Sequence, residues 1–533
     1  MKAALYFLLT AAAAALYGQQ IAGKVVNSVN GEPIRRAMVI ARAQDTEHGP
    51  SYAAETDSHG QFSIGDMEPG SYLVSAERQG FHFQARGATG APPPPLKLDR
   101  GQEMLDLLLR LIPTGVIAGR VTDDEGDPVR GAEVQAFVTA YVNGKKQLNS
   151  VDTVMSNEKG EYRLFGLTPG TFYVQASARD MRAQQNVPIR GAHPPEKPAP
   201  AYYPGVSDQN RAVPIEVAAG AELRGFDIRL SRQKTYSVRF KVTPGPNQGY
   251  WAMIGDGRNW GSGVSVNGDT AEVPGLTPGS HVVTIVQNVG DEQNYARVPV
   301  EIVDADVDGG ALTFLPQMDV TGAVRADDKK THPWENIRVG LRSETEAPNG
   351  FQNASGFHNT TVNADGSFAL RKVPPDVYRV TAQFSSPVPG TYVKSIGAGD
   401  HDLADWKLDL TKETAPLNIL LGTDVGAIEG IVKNAAGDPV VRARVNLIPG
   451  GGHAGRTDLT KFTFTDEKGE FNFKTVAPAQ YRIFAWEDVP VGKPQDPEFR
   501  KRFETRSVLV KVEPDSHQKV EATAIPAAEA RKP

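Results

Sequence analysis

The pattern of the stretch Asn157–Ala176, NEKGEYRLFGLTPGTFYVQA, returns as Asp466–Ala485, DEKGEFNFKTVAPAQYRIFA. Each copy opens on a polar turn closed by glycine, Gly160 or Gly469. An aromatic follows two residues later, Tyr162 or Phe471. A proline, Pro169 or Pro478, then leads into an aromatic–x–apolar segment. Asp and Asn side chains bond the backbone just downstream of themselves, and Gly supplies the positive φ of a tight turn. The alternation of apolar and polar residues on either side reads as strand. The two stretches share no catalytic residue type, so what they repeat is a shape.

The same signals recur elsewhere. The turn and aromatic return as Asp57…Gly60–x–Phe62 and Asn363…Gly366–x–Phe368. The proline segment returns as PGSYLV from Pro69 and PDVYRV from Pro375. From the turn glycine to the residue after proline the offset is constant: 70−60, 170−160, 376−366 and 479−469, ten each time. That constancy predicts one hairpin of fixed length, because a one-residue slip would turn the inward face outward. Upstream, each copy opens on an apolar–x–Gly–x–Val strand: Ile21–Val25, Ile117–Val121, Val320–Val324 and Ile428–Val432. Three of these run into a Gly–acid–Pro turn and a second strand, at Asn30–Ala41, Glu125–Phe137 and Ala436–Ile448. A degenerate copy spans Tyr236–Val242 and Asn267–Val283. It lacks the opening glycine, and its offset is one longer, 279−268.

Each copy also closes on a strand: Gly101–Leu111, Gly220–Leu230 and Ala415–Leu421. The next opening follows with barely any linker. The reading is all-β, a tandem array of five small antiparallel β-sandwiches strung end to end: 19–112, 113–233, 234–317, 318–423 and 424–533. The second carries a long aromatic loop. The fifth carries a short helix near 496–504 and a polar tail, with Asp496 as cap, Pro497 at the first turn, and Phe499 and Phe503 on one face. Trp486 follows an apolar strand and is expected in the core.

The bulk numbers narrow the classes of function. A chain of 533 residues is too long for one core. A net charge of −6 makes no electrostatic case for nucleic acid. There is no cysteine, which excludes disulfides, thiolate zinc sites and iron–sulfur clusters. Residues 1–18 carry Lys2 and then an apolar run to about Leu16, which reads as a secretory signal peptide. No transmembrane span is expected after it. The expected location is exported: periplasmic, outer-membrane-associated or extracellular.

These motifs together resemble the carboxypeptidase regulatory-like domain, a transthyretin-like (prealbumin-like) sandwich related in shape to Cna-B-type repeats and to starch-binding-like folds. Four copies match well and the third poorly. The segment from Tyr481 through Glu504 resembles the terminal repeat of large exported proteins of acidobacteria-like bacteria. The resemblance implies a non-catalytic module, since the family is named for an appendage of metallocarboxypeptidases.

Candidates for chemistry are sparse. A zinc-type His-x-x-Glu pattern occurs at His193–Glu196 and His332–Glu335, both interrupted by proline. The turn acids Asp57, Asp365 and Asp466 offer calcium only one or two oxygens each, so Asx-turns are the expectation. Of the positions where Cna-B-like domains can carry a covalent cross-link, only Lys24 and Lys433 are lysines, with Arg120 and Arg325 elsewhere, so a general isopeptide mechanism is not expected. We expect no catalytic residue, metal or cofactor. Binding is the livelier reading, because two loops are long and aromatic. Ala192–Ala212 presents Tyr202 and Tyr203; Gln248–Gly263 presents Tyr250, Trp251 and Trp260 with Asp256, Arg258 and Asn259. Flat rings beside amides and carboxylates suit sugar recognition. The expectation is a binding or scaffolding module at the cell envelope, with a polysaccharide or an envelope protein as partner. The alternatives are an accessory module of, or a degenerate, zinc carboxypeptidase-type hydrolase, and a partner of an outer-membrane TonB-dependent transporter.

Overall fold

The computed structural model describes residues 19–44, 49–83, 95–142, 145–178, 196–243, 248–254, 260–290, 292–328, 330, 332–344, 357–384, 390–412, 415–490 and 492–530. The expected signal peptide, 1–18, lies outside them. In the first repeat the strands are β1 (Gln19–Asn27), β2 (Met38–Ala43), β3 (Ser51–Glu55), β4 (Gln61–Met67), β5 (Gly70–Glu77), β6 (Phe81–Phe83), β7 (Leu96–Leu98) and β8 (Glu103–Pro113). They form two sheets, ordered β4-β1-β8-β6 and β3-β2-β5-β7. Alternation puts Ile21, Val25, Val39, Phe62, Ile64 and Tyr72 into one buried core between them. The same two-sheet plan recurs along the chain, with separate cores around Phe240, Phe368 and Phe471.

The repeated stretch is not the hairpin that its constant length predicts. Strand β4 pairs with β1 in one sheet, while β5 pairs with β2 in the other. The fourth, fifth and degenerate copies divide the same way. The offset of ten counts one seven-residue strand plus a corner between sheets: Gln61–Met67, Glu161–Leu167, Ser367–Val373 and Glu470–Val476 each have seven residues. Thr270–Leu276 also has seven, so the extra residue of the degenerate copy sits in its turn. Roughly three residues at ~3.3 Å bridge the ~10 Å between packed sheets, which fixes the corner's length as firmly as a hairpin would. Corners and hairpins use the same turn residues, so composition does not separate them. A ring pins the corner: the Tyr72, Tyr378 and Tyr481 hydroxyls donate to the carbonyl oxygens of Glu68, Pro374 and Ala477 at 2.7, 2.9 and 2.9 Å. In the degenerate copy His281 Nε2 lies 2.6 Å from the Thr277 carbonyl oxygen.

The opening glycine and the downstream aromatic turn out to be cross-strand partners. Gly23 pairs with Phe62, Gly322 with Phe368 and Gly430 with Phe471. On the other side of each glycine runs the closing strand. A Cβ at Gly23, Gly119, Gly322 or Gly430 would collide with the carbonyl oxygen of Leu107, Phe226, Leu417 or Val520. At Gly322 and Gly430 it would also strike the ring of Phe368 or Phe471. The degenerate copy keeps this contact with its partners exchanged. Phe240 occupies the glycine's place, Ala271 faces it where the other copies have the aromatic, and Gly309 of the closing strand makes room for the Phe240 ring.

The closing strand runs parallel to the opening strand in every copy, whereas the other strand pairs described here are antiparallel. A parallel pair needs a long crossover, and here the whole sandwich supplies it. In the fifth copy the parallel partner is His517–Thr523, so most of the expected polar tail is strand. The expected helix is shorter than predicted: α1 (Pro497–Lys501), capped by Asp496, whose side chain accepts from the Glu498 N–H. Trp486 is fully buried as expected, its ring centroid 5.4 Å from that of Phe499 and 5.2 Å from that of Phe503. Burial and the neighbouring Asp496 and Glu498 push the Tyr141 hydroxyl pKa up.

Replacing Gly430 by Ala is expected to reduce the local unfolding free energy of the fifth sandwich by about 2–3 kcal/mol, because backbone on one side and a buried ring on the other cannot both give way. Gly452→Ala meets nothing within 4 Å and should stay within about 0.5 kcal/mol. Amide exchange in strands Gly426–Lys433 and His517–Thr523 reads both.

Candidate binding surface

The two aromatic loops meet different fates. Strand Ala201–Tyr202 pairs with Gln175 and Ala176. Tyr202 is only 4% exposed and packs on Phe137 and Leu148, its ring centroid 6.3 Å from that of Phe137. It leaves no face open to a ligand. Tyr203 is half-buried, with its ring centroid 5.0 Å from that of Phe226 and its N–H bonded to the Val174 carbonyl at 2.8 Å. The pair closes one end of the second sandwich. The Tyr203–Pro204 peptide is cis.

Tyr250 and Trp251 sit side by side on strand Gln248–Ile254 and point to opposite faces. Tyr250 packs inward, 6.0 Å from Phe314 between ring centroids, and its hydroxyl accepts from Gln287 Nε2 at 3.0 Å. Ala252 and Ile254 share that inward face and are buried. Trp251 projects to the opposite face and, like Tyr250, is only partly exposed, between Gly263 on one neighbouring strand and Val286, itself fully buried, on the other. Trp260 pairs with Met253 in the same hairpin. Asp256, Arg258 and Asn259, expected to bond sugar hydroxyls, lie outside the described residues, as does His193.

The other candidates are tied into local structure. Asp57 Oδ1 accepts from the N–H groups of His59 and Gln61, both at 2.8 Å; Asp466 Oδ1 does the same for Lys468 and Glu470. Asp365 Oδ1 accepts from the Ser367 N–H at 2.9 Å and from its hydroxyl at 2.6 Å. These are Asx-turns. His332 Nε2 lies 3.0 Å from Asp328 Oδ1, and its ring sits 5.1 Å from Trp334. Glu335 is exposed in the following 3-10 turn. The only group of three metal-type side chains brought close together among the described residues is the Asp123–Asp124–Glu125 turn. There Asp123 Oδ1 accepts from the Asp127 N–H at 2.8 Å. Lys433 is ion-paired with Glu521 of the closing strand.

Two charged joints went unseen in the sequence. Arg297 of the third sandwich pairs with Asp376 of the fourth, which is 3% exposed and also accepts from the Ser343 hydroxyl. Arg456 of the fifth stacks on Trp406 of the fourth. A visible signal marked the first: Asp376 stands at the corner where three other copies have Gly70, Gly170 and Gly279.

A sandwich repeated with its interior kept and its hairpin loops varied defines a class, the tandem β-sandwich module. Residues 20–99 and 116–196 match the carboxypeptidase regulatory-like domain, and the chain carries that domain in these two segments. A search of curated proteins found no match. Among solved structures the chain is similar to GBS52, the minor pilin of Streptococcus agalactiae, at 12% identity over 43% of this chain and 98% of that one, TM-score 0.23. It is similar to a streptococcal ancillary pilin at 11% over 55% and 98%, TM-score 0.20. It is also similar to the Bacillus anthracis TIE protein at 10% over 94% and 72%, TM-score 0.16.

The turn carboxylates predict a pH contrast. The Gln61 N–H holds the Asp57 carboxyl below the ordinary carboxylate pKa. A carboxylate whose pKa is lowered by folding stabilises the turn above its unfolded pKa, and that support is lost as pH falls through the folded value. The His59 and Gln61 amide resonances should therefore shift on acidification below about pH 4. Asp57→Asn, which puts an uncharged amide oxygen in the same place, as Asn157 has towards the Lys159 and Glu161 amides at 2.9 Å each, should abolish the step.

Proposed function

We propose that this protein is a non-catalytic, exported binding or scaffolding module of the cell envelope, and that it takes polysaccharide on the hairpin that carries Trp251. Domain boundaries near 112, 233, 317 and 423 belong to the same proposal. The observation that supports the sugar reading is the partly exposed Trp251 indole, on the face of its strand opposite to Tyr250, Ala252 and Ile254. A sugar ring stacks its C–H face on such an indole while nearby polar groups bond its hydroxyls. The family match supports the non-catalytic reading. So does the engagement of His332 and the turn acids in local hydrogen bonds. No helix of the described residues is long and apolar enough to cross a membrane.

A glycan array on the purified chain tests this. Binding to a bacterial polysaccharide should fall at least about tenfold in Trp251→Ala, the loss of roughly 1.4 kcal/mol expected for one stacking ring. Tyr202→Phe should leave it unchanged. No polysaccharide binding at all, or binding indifferent to Trp251, would refute the sugar reading and leave scaffolding.

A further inference from the structure

The joint between the fourth and fifth sandwiches is built from more parts than a linker needs. The closing strand Leu417–Gly422 is followed after three residues by the opening strand Gly426–Lys433. That connector is pinned from one side. Tyr392 packs against the core of the fifth sandwich, and its hydroxyl donates to Asp424 Oδ1 at 3.0 Å. Its ring occupies the space that a Cβ at Gly422 would fill. Lys394 Nζ lies 2.8 Å from Asp327 and 3.6 Å from Asp424. Asp327 Oδ1 in turn accepts from the Thr423 N–H at 3.0 Å and from its hydroxyl at 2.8 Å.

The other side is closed by the hairpin loop between strands Arg444–Pro449 and Lys461–Phe464. Arg456, on this loop, reaches across to the fourth sandwich. Its guanidinium carbon sits 4.0 Å from the centroid of the Trp406 ring, and Nη2 donates to the Val393 carbonyl oxygen at 2.6 Å. Asp458 holds the guanidinium from behind, accepting from Nε and Nη2 at 2.8 Å each. Trp406 is presented by an unusual turn, in which Asp405 and Trp406 both adopt left-handed φ, 51° and 56°. For non-glycine residues this conformation is disfavoured and persists only when the surroundings hold it. Arg456 is the group seated on the ring that this turn presents.

We infer that Arg456 and Trp406 form a bolt that locks the fourth and fifth sandwiches into one rigid body, with Tyr392 and Lys394 as its hinge plate. A planar guanidinium is required. It stacks on the ring, grips one carboxylate with two N–H groups and still donates to the backbone carbonyl; a lysine ammonium is a point charge without that fork. The Arg297–Asp376 pair holds the third sandwich to the fourth in a comparable way. The inference does not depend on sugar binding, and either can fail without the other.

The absence of cysteine from the chain makes the test direct. Arg338→Cys and Lys474→Cys place one spin label on each sandwich, both at exposed positions. Electron–electron dipolar spectroscopy on the full chain should return one narrow distance distribution. Arg456→Ala and Trp406→Ala should each at least double its width, with the far-ultraviolet circular dichroism unchanged. Should Arg456→Ala fail to fold, Arg456→Lys keeps the charge and should still broaden the distribution. A broad distribution in the doubly labelled parent, or widths unmoved by the Arg456 and Trp406 variants, would overturn the inference.

Discussion

A bare glycine between a neighbouring strand's carbonyl and an aromatic ring is the contact on which each sandwich depends. The opening strand must run beside the closing strand on one flank and the seven-residue strand on the other. At Gly322 and Gly430 the ring of Phe368 or Phe471 lies over it and the closing-strand carbonyl presses from the opposite flank; at Gly23, the partner of Phe62, the Leu107 carbonyl forbids a Cβ. Only a residue without Cβ fits there. The degenerate copy shows that the constraint belongs to the pair. Phe240 moves to the opening strand, Ala271 takes the ring's former place, and Gly309 appears where the relocated ring needs room. Burying such a ring contributes roughly 1.5–3 kcal/mol, and its position sets the register of both neighbours.

With the interior so constrained, variety collects at the ends. Because opening and closing strands run parallel, the chain leaves each sandwich in the direction in which it entered. The next opening strand then begins after very few residues. Short connectors bring loops and corners of neighbouring sandwiches into contact, and there single substitutions convert a repeat into a joint. Asp376 at a corner and Arg456 on a hairpin loop are such substitutions. Neither disturbs the ring–glycine packing, so the array gains specific junctions while each core stays intact.

Much of this was legible in the sequence, and what was not has a common cause. Period-two alternation and turn chemistry located the strands, the five cores and the buried Trp486, because those depend on residues close together in the chain. The pairing of Gly23 with Phe62 was present as two separate signals, but their contact lies in sheet register. The seven-residue strand with its corner was taken for a hairpin because both end in Gly, Pro, Asp or Asn. The parallel closing strand, the Arg297–Asp376 pair and the Arg456–Trp406 stack join residues distant in sequence. Only departures from the repeat, such as Asp376 in place of glycine, hinted at any of them.

Side-chain parity decides how aromatic residues in such a chain should be read. Tyr202 lies on a strand that pairs into a sheet, against Phe137 and Leu148, and belongs to the protein's own packing. Tyr250 and Trp251 are adjacent and equally aromatic, yet the pleat sends one into the core and the other to the outer face. Composition treats the two alike. A ligand that needs a flat apolar platform meets only the second. Where a strand's inner positions are filled by its own core, as Ala252 and Ile254 fill theirs, a tryptophan on the opposite face packs outside that core, here across from the buried Val286, and only the part of its ring left uncovered can serve a ligand.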